Sequence, residues 1–425
     1  MKKIIKNGLI IDPSQNLCEE GNLYLDDDKI VKIELANKTL GKAKDFKKAE
    51  IIDANGLWVT PGLIDLHVHF REPGLEYKED IKSGSEAAVS GGFTTVCMMP
   101  NTKPVIDSVE TLEYVDKKAK EADLINVLTI AAITKGQKGE ELCDYQKMME
   151  VDTITKKING KGICAISEDG RSVMNSRVML EGIKEAKELN LQVFSHTEDD
   201  SLASTSIGEE LIVARDIMLA NEANTRIHLC HISTKNSLDI IKTAKERGIK
   251  VTCETGPHYF IFNKDDVNGD PNKKMNPPLR SKEDVEAVKE ALRNGTIDVI
   301  ATDHAPHSKE EKSKPIEKAL NGIVGIETSF ALSYTYLVKT GILTPLELIN
   351  KMSTNGAKIL DIDRGTLKVG SIADIALFDV TNEYEIKEED FKSKSHNSPF
   401  IGMNVYGRTV QTFVAGECKF KRVKY

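Results

Sequence analysis

The feature that most constrains the fold of this chain is a series of short apolar segments that alternate with amphipathic stretches from about residue 62 onward. Such alternation is typical of repeated βα units, because strands covered by helices on their outer face are apolar along their length. Eight βα units in series are the number that closes a parallel barrel. We predict eight strands, at Leu63–Phe70, Thr94–Met99, Asn126–Ile133, Gly162–Ser167, Gln192–His196, Ile227–His231, Lys250–Glu254 and Asp298–Thr302.

The two ends of the chain have a different texture, with short apolar runs separated by Gly and Asp turns. Near the N-terminus, Asn7-Gly8 between two such runs predicts a β-hairpin. Chain ends often meet at a domain surface, so both ends can contribute to one domain. We therefore predict an α/β protein with a TIM-like (β/α)8 barrel at residues 61–365. A small β-sandwich domain is expected to form from residues 1–60 and 366–425.

Composition argues against several function classes. The formal net charge is −8 at pH 7, whereas nucleic-acid-binding proteins usually present a basic face. No apolar stretch approaches the ~20 residues that a membrane-spanning helix needs. The N-terminal segment lacks the apolar region of a signal peptide, and the seven cysteines are scattered without a CxxC pair. We therefore predict a cytoplasmic protein with reduced thiols that binds neither nucleic acid nor membrane.

Histidines and aspartates gather where the predicted strands end. In a parallel barrel these carboxyl ends form the mouth, where barrel enzymes carry their active sites. The chain has only nine histidines, and four of them fall at this one end, together with two aspartates. The six residues are His67, His69, Asp169, His196, His231 and Asp303.

The strongest single motif among them is His67-Val68-His69. Residues i and i+2 of a strand point to the same face, so both imidazoles would enter the barrel mouth side by side. Taken alone, the pair could equally be two histidines of a half-buried strand. The surrounding sequence, from Pro61 to Arg71, favours a metal site. His228 lies an odd number of residues from His231 and is interpreted as structural.

Structural alternatives exist for the other four residues as well. A histidine at a strand end, such as His196 or His231, is more often a satisfied polar group than a ligand. Asp169 and Asp303 could each cap a following helix. Their shared position at the barrel mouth favours a metal site, and four imidazoles with two carboxylates suit zinc. Two zinc ions bridged by one carboxylate and one hydroxide would use all six residues.

The sequence around these residues resembles that of dihydroorotases, in the amidohydrolase superfamily. The segment Gly62–Gly74 is similar to their first signature, and Ala301–His307 followed by Lys312 is similar to the second. Four further segments match in the same order, at Met99–Thr102, His228–Thr234, Asn276–Arg280 and Gly322–Thr328. The resemblance covers essentially the whole chain. Hydantoinases and allantoinases share the paired histidines but not the full Phe-Arg-x-Pro-Gly set.

The resemblance implies a role for each metal-site residue. His67 and His69 would bind one zinc ion, and His196 and His231 would bind the other. Asp303 would complete the first site and act as the catalytic proton shuttle. One or two zinc ions per subunit are implied, with two as the expected number.

The resemblance also implies a substrate-binding set. Arg71, Asn101 and His307 would hold the carboxylate of the substrate. Asn276 would contact the pyrimidine ring. The loop at Asn321 and Gly322 would offer backbone groups.

The bridging ligand departs from the superfamily pattern. Many members bridge their metals with a carboxylated lysine, but no lysine lies at the end of the fourth predicted strand. Bacterial long-chain dihydroorotases have Asp-Asp-Gly there, and this chain has Glu168-Asp169-Gly170. We assign the bridge to Asp169, because its position before the histidine of the fifth strand matches the family. The role of Glu168 stays open.

The implied reaction is the reversible cyclisation of N-carbamoyl-L-aspartate to L-dihydroorotate, in de novo pyrimidine (UMP) biosynthesis. A zinc-bound hydroxide and the Asp303 shuttle would carry it out. One alternative is a dihydropyrimidinase, hydantoinase or allantoinase, whose substrates lack the ring carboxylate. Another is a non-catalytic scaffold subunit of aspartate carbamoyltransferase, which would have lost the ligands that this chain keeps. The resemblance further implies a homodimer, with association with aspartate carbamoyltransferase as a further option.

Overall fold

The computed structural model describes residues 1–423 and begins with a run of strands. Six strands form in this N-terminal segment, β1 (Lys2–Asp12), β2 (Leu17–Asp26), β3 (Lys29–Leu35), β4 (Thr39–Gly41), β5 (Glu50–Asp53) and β6 (Leu57–Pro61). The hairpin predicted at Asn7-Gly8 is wrong, because β1 runs straight through both residues. Asn7 has a φ of 62° and forms a bulge, and its N–H donates to Asn22 Oδ1 of the neighbouring strand at 3.0 Å.

A parallel barrel follows, as the sequence predicts. Its eight strands are β7 (Leu63–Val68), β8 (Phe93–Met98), β9 (Asn126–Ala132), β10 (Ala165–Ser167), β11 (Gln192–Ser195), β12 (Ile227–Leu229), β13 (Val251–Thr255) and β14 (Val299–Ile300). Each strand pairs with the next in chain order. A parallel bridge between Val68 and His304, with His69 N donating to His304 O at 2.8 Å, closes the ring. The TIM-like barrel is therefore confirmed.

Helices connect these strands and cover the outside of the barrel. They are α1 (Ile81–Ser90), α2 (Val109–Ala122), α3 (Tyr145–Val151), α4 (Thr153–Asn159), α5 (Ser176–Glu188), α6 (Ser206–Glu222), α7 (Lys235–Glu246), α8 (Pro257–Ile261), α9 (Lys282–Asn294), α10 (Lys309–Lys312), α11 (Ser329–Ser333), α12 (Pro345–Ile349) and α13 (Asn355–Leu360). A capping box starts α9, with Ser281 as the N-cap and Asp284 as its partner. Within residues 1–423, no helix is long and apolar enough to cross a membrane.

The C-terminal segment returns to the N-terminal strands. It contains β15 (Ile375–Asp379), β16 (Tyr384–Glu385), β17 (Asn404–Val405), β18 (Arg408–Val414) and β19 (Glu417–Lys421). β15 pairs with β6, and one mixed nine-stranded sheet results, in the order β19-β18-β15-β6-β1-β2-β3-β4 with β5 beside β1. The predicted β domain built from both termini is thus confirmed, whereas its boundaries near residues 60 and 365 stay predictions.

The terminal sheet has its own hydrophobic core, separate from that of the barrel. Its fully buried side chains come from both ends of the chain and include Ile5, Ile10, Leu23, Leu25, Ile30, Ile33, Ile375 and Leu377. Burial of such aliphatic side chains stabilises the fold by roughly 1.5–3 kcal/mol each. The sheet therefore has an apolar source of stability that does not depend on the barrel mouth.

Asp65, inside β7, fastens the first barrel strand to the last. Its carboxylate accepts hydrogen bonds from His67 N at 3.1 Å, Thr302 N at 3.1 Å and Thr302 Oγ1 at 2.5 Å. Complete burial raises the pKa of Asp65 to about 7, although these hydrogen bonds oppose the shift. The contacts fix the ends of β7 and β14 relative to one another, and both ends carry candidate metal ligands.

Candidate metal centre

The structure brings all six predicted metal-site residues together at the carboxyl ends of the barrel strands. His67 lies inside β7 near its carboxyl end, and the other five residues follow their strands by one to three positions, for example His196 after Ser195 and His231 after Leu229. All six residues lie at the barrel mouth. The four histidines are at most 5% exposed. Neither aspartate caps a helix, since the next helices begin after Asn175 and Ser308.

Asp169 lies at the centre of the cluster. Its Oδ1 is 3.3 Å from His67 Nε2, 3.3 Å from His196 Nδ1 and 3.7 Å from His231 Nε2. Its Oδ2 is 3.4 Å from His69 Nε2. One carboxylate therefore contacts all four imidazoles, and this position is the one that a bridging ligand requires.

Asp303 approaches the cluster from the side of β14. Its Oδ1 lies 3.2 Å from His69 Nε2 and 3.6 Å from His67 Nε2. Its side chain is 12% exposed, against 4% for that of Asp169. Asp303 is thus the carboxylate of the cluster that opens more to the cavity.

Several buried ring nitrogens of the cluster lack a hydrogen-bond partner. Within the described residues these include His67 Nε2, His196 Nε2 and His231 Nδ1. Leaving a buried polar atom unpaired costs about 1–3 kcal/mol, so such atoms usually have a ligand. Nitrogen and carboxylate donors at this spacing, in sets such as His67, His69 and Asp303, suit a divalent cation. The residues present therefore fit a metal.

Outer hydrogen bonds orient two of the histidines. His67 Nδ1 lies 2.7 Å from Glu254 Oε1, and His69 Nδ1 lies 2.8 Å from Asn101 Oδ1. With an acceptor oxygen at Nδ1, each ring carries a proton there, and its Nε2 faces the cluster. Glu254 also accepts from His228 Nε2 at 3.1 Å, which gives His228 the structural role that the sequence predicts.

The carboxylates of the cluster are held in their ionised form. Burial alone would raise the pKa of Asp169, but the charge of His67 and hydrogen bonds from the other imidazoles hold that pKa well below its usual value. Burial likewise opposes the ionisation of Asp303, and His67 and His69 lower its pKa nevertheless. Both groups are therefore available as anionic ligands or as proton acceptors near neutral pH.

Three residues of the site have left-handed backbone conformations without being glycine. The φ angles are 63° at Arg71, 40° at His231 and 48° at Asp303. Such conformations cost on the order of 1–3 kcal/mol each and persist where the surrounding structure enforces them. All three follow barrel strands, so the strain accompanies the turn of each side chain into the mouth.

A cavity of about 190 Å³ lies above the cluster. Of the twelve predicted site residues, only His67 does not line it, because His67 lies fully buried beneath the others. Gly170 and Ala305 also line the cavity and were not predicted. The other lining residues are His69, Arg71, Asn101, Asp169, His196, His231, Asn276, Asp303, His307, Asn321 and Gly322.

Arg71 and His307 form the wall of the cavity away from the metal ligands. Arg71 Nε donates to Pro306 O at 3.2 Å, and its Nη2 lies 3.5 Å from His307 Nε2. Burial, with the neighbouring charges of Arg71 and Lys78, lowers the pKa of His307 to about 3. His307 is therefore neutral, and its Nε2–H donates to Asn321 O at 2.7 Å. The guanidinium keeps N–H groups free to face the cavity.

Two predicted substrate-binding residues, Asn101 and Asn276, also contact the histidine–aspartate cluster or a residue beside it. Asn101 Nδ2 lies 3.4 Å from Asp169 Oδ2, so its amide spans His69 and the central carboxylate. Asn276 Nδ2 donates to Glu198 Oε2 at 2.6 Å. Glu198 in turn lies 3.7 Å from His196 Nε2, and these contacts lower its pKa to about 2 against the effect of burial.

Sequence reasoning missed some residues that support the site. Glu254 ends the seventh predicted strand, so its position at the mouth was a signal that could have found it. Asn397 had no such signal, because it lies in the C-terminal segment. Its side chain accepts from His307 N at 3.0 Å and donates to Gly322 O at 3.1 Å.

Glu168 points away from the cluster. Its carboxylate accepts hydrogen bonds from the backbone N–H of Thr134, at 3.0 Å, and from the Thr134 hydroxyl. It thereby ties the loop after β10 to the loop after β9. This geometry gives Glu168 a structural role and leaves Asp169 as the residue of the pair that faces the histidine cluster.

Comparison with known proteins agrees with this geometry. The model of the amidohydrolase family matches residues 58–419. A dihydroorotase of Geobacter metallireducens is 47% identical over 442 residues, which cover 99% of this chain and 100% of that protein. A dihydroorotase of Ruminiclostridium cellulolyticum is 42% identical, with 98% of each chain covered.

Solved structures of hydantoinases share the fold. An L-hydantoinase (dihydropyrimidinase) from Arthrobacter aurescens superposes with a TM-score of 0.85 at 25% identity, covering 98% of this chain and 95% of that one. A D-hydantoinase gives 0.83 at 27% identity over the same shares. The two dihydroorotases have a higher sequence identity to this chain than the two hydantoinases, and they cover 98–99% of it. The chain therefore belongs to the amidohydrolase family and, within that family, to the dihydroorotases.

Proposed function

We propose that this chain catalyses the reversible interconversion of N-carbamoyl-L-aspartate and L-dihydroorotate, with zinc as its metal. The observation that carries the proposal is the pairing, in one cavity, of a metal-type cluster with a cationic wall at Arg71. Both compounds carry a carboxylate that takes no part in the bond that forms or breaks. A site for them needs a fixed cation at one side and the reactive groups at the other.

The proposed metal site holds two zinc ions. His67, His69 and Asp303 would hold one, and His196 and His231 would hold the other, with Asp169 shared between them. When bound, such ions supply an activated water nucleophile and polarise the amide carbonyl. Support comes from the unpaired imidazole nitrogens and from the contact of Asp169 with all four rings.

Asp303 is proposed to move the proton. In ring opening its Oδ1 accepts a proton from the attacking water and then delivers it to the leaving amide nitrogen; in ring closure the same transfers run in reverse. The lowered pKa of Asp303, set by the neighbouring imidazoles, keeps it ready to accept. Its greater exposure, compared with that of Asp169, supports this role.

Arg71 is proposed to bind the substrate carboxylate. Its planar guanidinium can donate two parallel N–H bonds to one carboxylate, which sets orientation as well as affinity. Pro306 O accepts a hydrogen bond from Arg71 Nε and holds the guanidinium in place, beside the neutral His307 ring. Asn276, held by Glu198, is positioned to contact the ring of the substrate, and the Asn321-Gly322 backbone lies beside it.

The rival candidate is a hydantoinase or dihydropyrimidinase activity, which the shared fold favours. Substrates of that kind lack the ring carboxylate and would leave Arg71 without an anionic partner. The test is an assay of dihydroorotate, dihydrouracil, hydantoin and allantoin, with metal content measured on the same sample. We expect turnover of dihydroorotate at least a hundredfold above the others. Comparable turnover of dihydrouracil or hydantoin would reject the proposal.

We also propose that the chain forms a homodimer and can associate with aspartate carbamoyltransferase. The support is the family membership. Sedimentation of the purified protein, alone and mixed with that enzyme, tests both points. A monomer at micromolar concentration would reject the dimer, and independent sedimentation of the two proteins would reject the association.

A further inference from the structure

We propose that Lys312 is a positioning residue, which clamps the two backbone segments that form the substrate-facing wall. The segments are Lys274–Asn276 and Leu320–Gly322. The inference deepens the proposed function, because it rests on the assignment of these segments to substrate binding. Lys312 itself does not line the cavity and would act only through the backbone it holds.

The ammonium group of Lys312 is bound entirely by carbonyl oxygens. Nζ donates to Leu320 O at 3.0 Å, Gly322 O at 3.0 Å and Lys274 O at 3.2 Å. The residue is 6% exposed, and within residues 1–423 its ammonium forms no salt bridge. Three N–H donors thus meet three acceptors, so the full donor capacity of the side chain is used on the backbone.

The three carbonyls come from the two segments that flank the cavity. Gly322 N also donates to Lys274 O at 3.0 Å, so the segments touch directly as well. Asn276, two residues after Lys274, faces the cavity, as do Asn321 and Gly322. A single ammonium group therefore helps to set the separation between Asn276 and the Asn321-Gly322 backbone.

The loop that Lys312 binds also contacts His307, which lies beside Arg71. With Leu320 O and Gly322 O held by Lys312, the carbonyl between them, Asn321 O, accepts from His307 Nε2. There is little freedom in this loop, because Gly322 has a φ of 131°, and a Cβ there would lie 2.8 Å from Ala305 Cβ. A loop this closely packed can transmit a change at Lys312 to His307 and thereby to Arg71.

Stability alone does not explain why a charge is buried at this position. Burial lowers the pKa of Lys312 to about 8, which shows that the surroundings disfavour the charged form. Buried charges can often be replaced by apolar side chains of similar volume with no loss of stability. Retention of an ammonium group bound only by substrate-facing loops points to the placement of those loops.

The first test compares Lys312→Met with a matched control, Lys351→Met. Lys351 is also 6% exposed, and its ammonium binds a carbonyl, Ile297 O at 2.6 Å, just before β14 at the opposite end of the barrel. We expect Lys312→Met to raise the KM for dihydroorotate about tenfold or more, with kcat within about threefold and metal content unchanged. The control should leave KM unchanged even if its melting temperature falls. An unchanged KM in Lys312→Met, or an equal rise in both variants, would overturn the proposal.

A second readout does not depend on turnover. Amide hydrogen exchange at residues 320–324 should become at least tenfold faster in Lys312→Met and stay unchanged in Lys351→Met. If the wild-type protein failed to turn over dihydroorotate, the proposed function would fall, but this exchange experiment would still test the clamp. Equal exchange in wild-type protein and Lys312→Met would refute the clamp itself.

A smaller variant keeps the test valid if Lys312→Met folds poorly. Lys312→Ala leaves space for propylammonium, which matches the part of the lysine side chain that was removed. We expect propylammonium to lower the raised KM of Lys312→Ala at least threefold, whereas propanol of similar size should not. Equal rescue by both compounds, or by neither, would contradict a role for the ammonium donors.

Discussion

The barrel mouth and the terminal sheet bury very different side chains. The terminal sheet buries aliphatic residues such as Ile10 and Leu377, which stabilise the fold by leaving water. The mouth buries imidazoles and carboxylates, and within residues 1–423 the imidazoles of His196 and His231 have ring nitrogens without a hydrogen-bond partner. The terminal sheet is stabilised by its own aliphatic side chains, whereas the mouth gathers nitrogen and oxygen atoms that suit a metal ion.

The two regions also differ in where their non-glycine residues with left-handed backbone conformations lie. In the terminal sheet, left-handed residues such as Asn16 and Asp27 lie in turns between strands, where such conformations are common. At the mouth they fall on Arg71, His231 and Asp303, the residues for which roles in metal or substrate binding are proposed. Backbone strain at the mouth therefore coincides with the proposed site. The comparison predicts that changes at the mouth alter activity, and that changes in the sheet alter stability alone.

Metal removal should have the largest effect on activity. The mouth depends on a metal, so a chelated sample should lose at least a thousandfold in turnover and recover on addition of zinc. Because a ligand of the folded state stabilises that state, the chelated protein should also melt at a lower temperature. Metal analysis and assay of one sample check this. Full turnover in metal-free protein would contradict the view that the barrel mouth needs a metal for activity.

Asp303→Asn should have the next largest effect. The amide cannot accept a proton, so kcat should fall by about 10²–10⁴-fold, the range attributed to general acid–base groups. Metal content should stay close to that of the wild type, because five of the six proposed ligands remain. Steady-state kinetics with metal analysis measure both quantities. Near-normal turnover in this variant would remove Asp303 from the proton path.

Arg71→Ala should act mainly on substrate binding. Charge-assisted hydrogen bonds contribute about 1.5–3 kcal/mol, so KM should rise about tenfold to a hundredfold for both substrates. Arg293→Ala is a matched control, since Arg293 forms a salt bridge with Glu290 on the surface of α9. The control should behave as wild type. An unchanged KM for Arg71→Ala would show that this wall does not contact the substrate.

Ile10→Ala should have the smallest effect on activity. Ile10 is fully buried in the core of the terminal sheet, so its truncation should cost about 2–5 kcal/mol of unfolding free energy. Values of kcat and KM should stay within about twofold of wild type at temperatures where the variant is folded. Urea unfolding and kinetics on the same preparation test this. A tenfold change in KM would mean that the sheet and the mouth are coupled.

Sequence reasoning located the mouth more accurately than it described the sheet. Buried parallel strands such as β8 and β9 are mostly apolar, and a metal-binding type of residue after such a strand marks the mouth. The hairpin predicted at Asn7-Gly8 fails, because the same dipeptide that favours a turn also allows a bulge. Local sequence does not distinguish the two outcomes, which pairing with β2 decides.

Contacts between distant parts of the chain were also beyond prediction. Asn397 reaches the site from the C-terminal segment, where no periodic pattern marks it. The double contact of Asn101 with His69 and Asp169 depends on the closed barrel. Such contacts follow from tertiary packing, which one sequence does not reveal.

The most direct test of the central claim is anomalous diffraction from crystals of zinc-loaded protein, recorded at the zinc absorption edge. The account predicts two peaks, one on each side of Asp169, with His67 and His69 beside the first and His196 and His231 beside the second. A single peak elsewhere, or density that leaves Asp169 outside the coordination sphere, would contradict it.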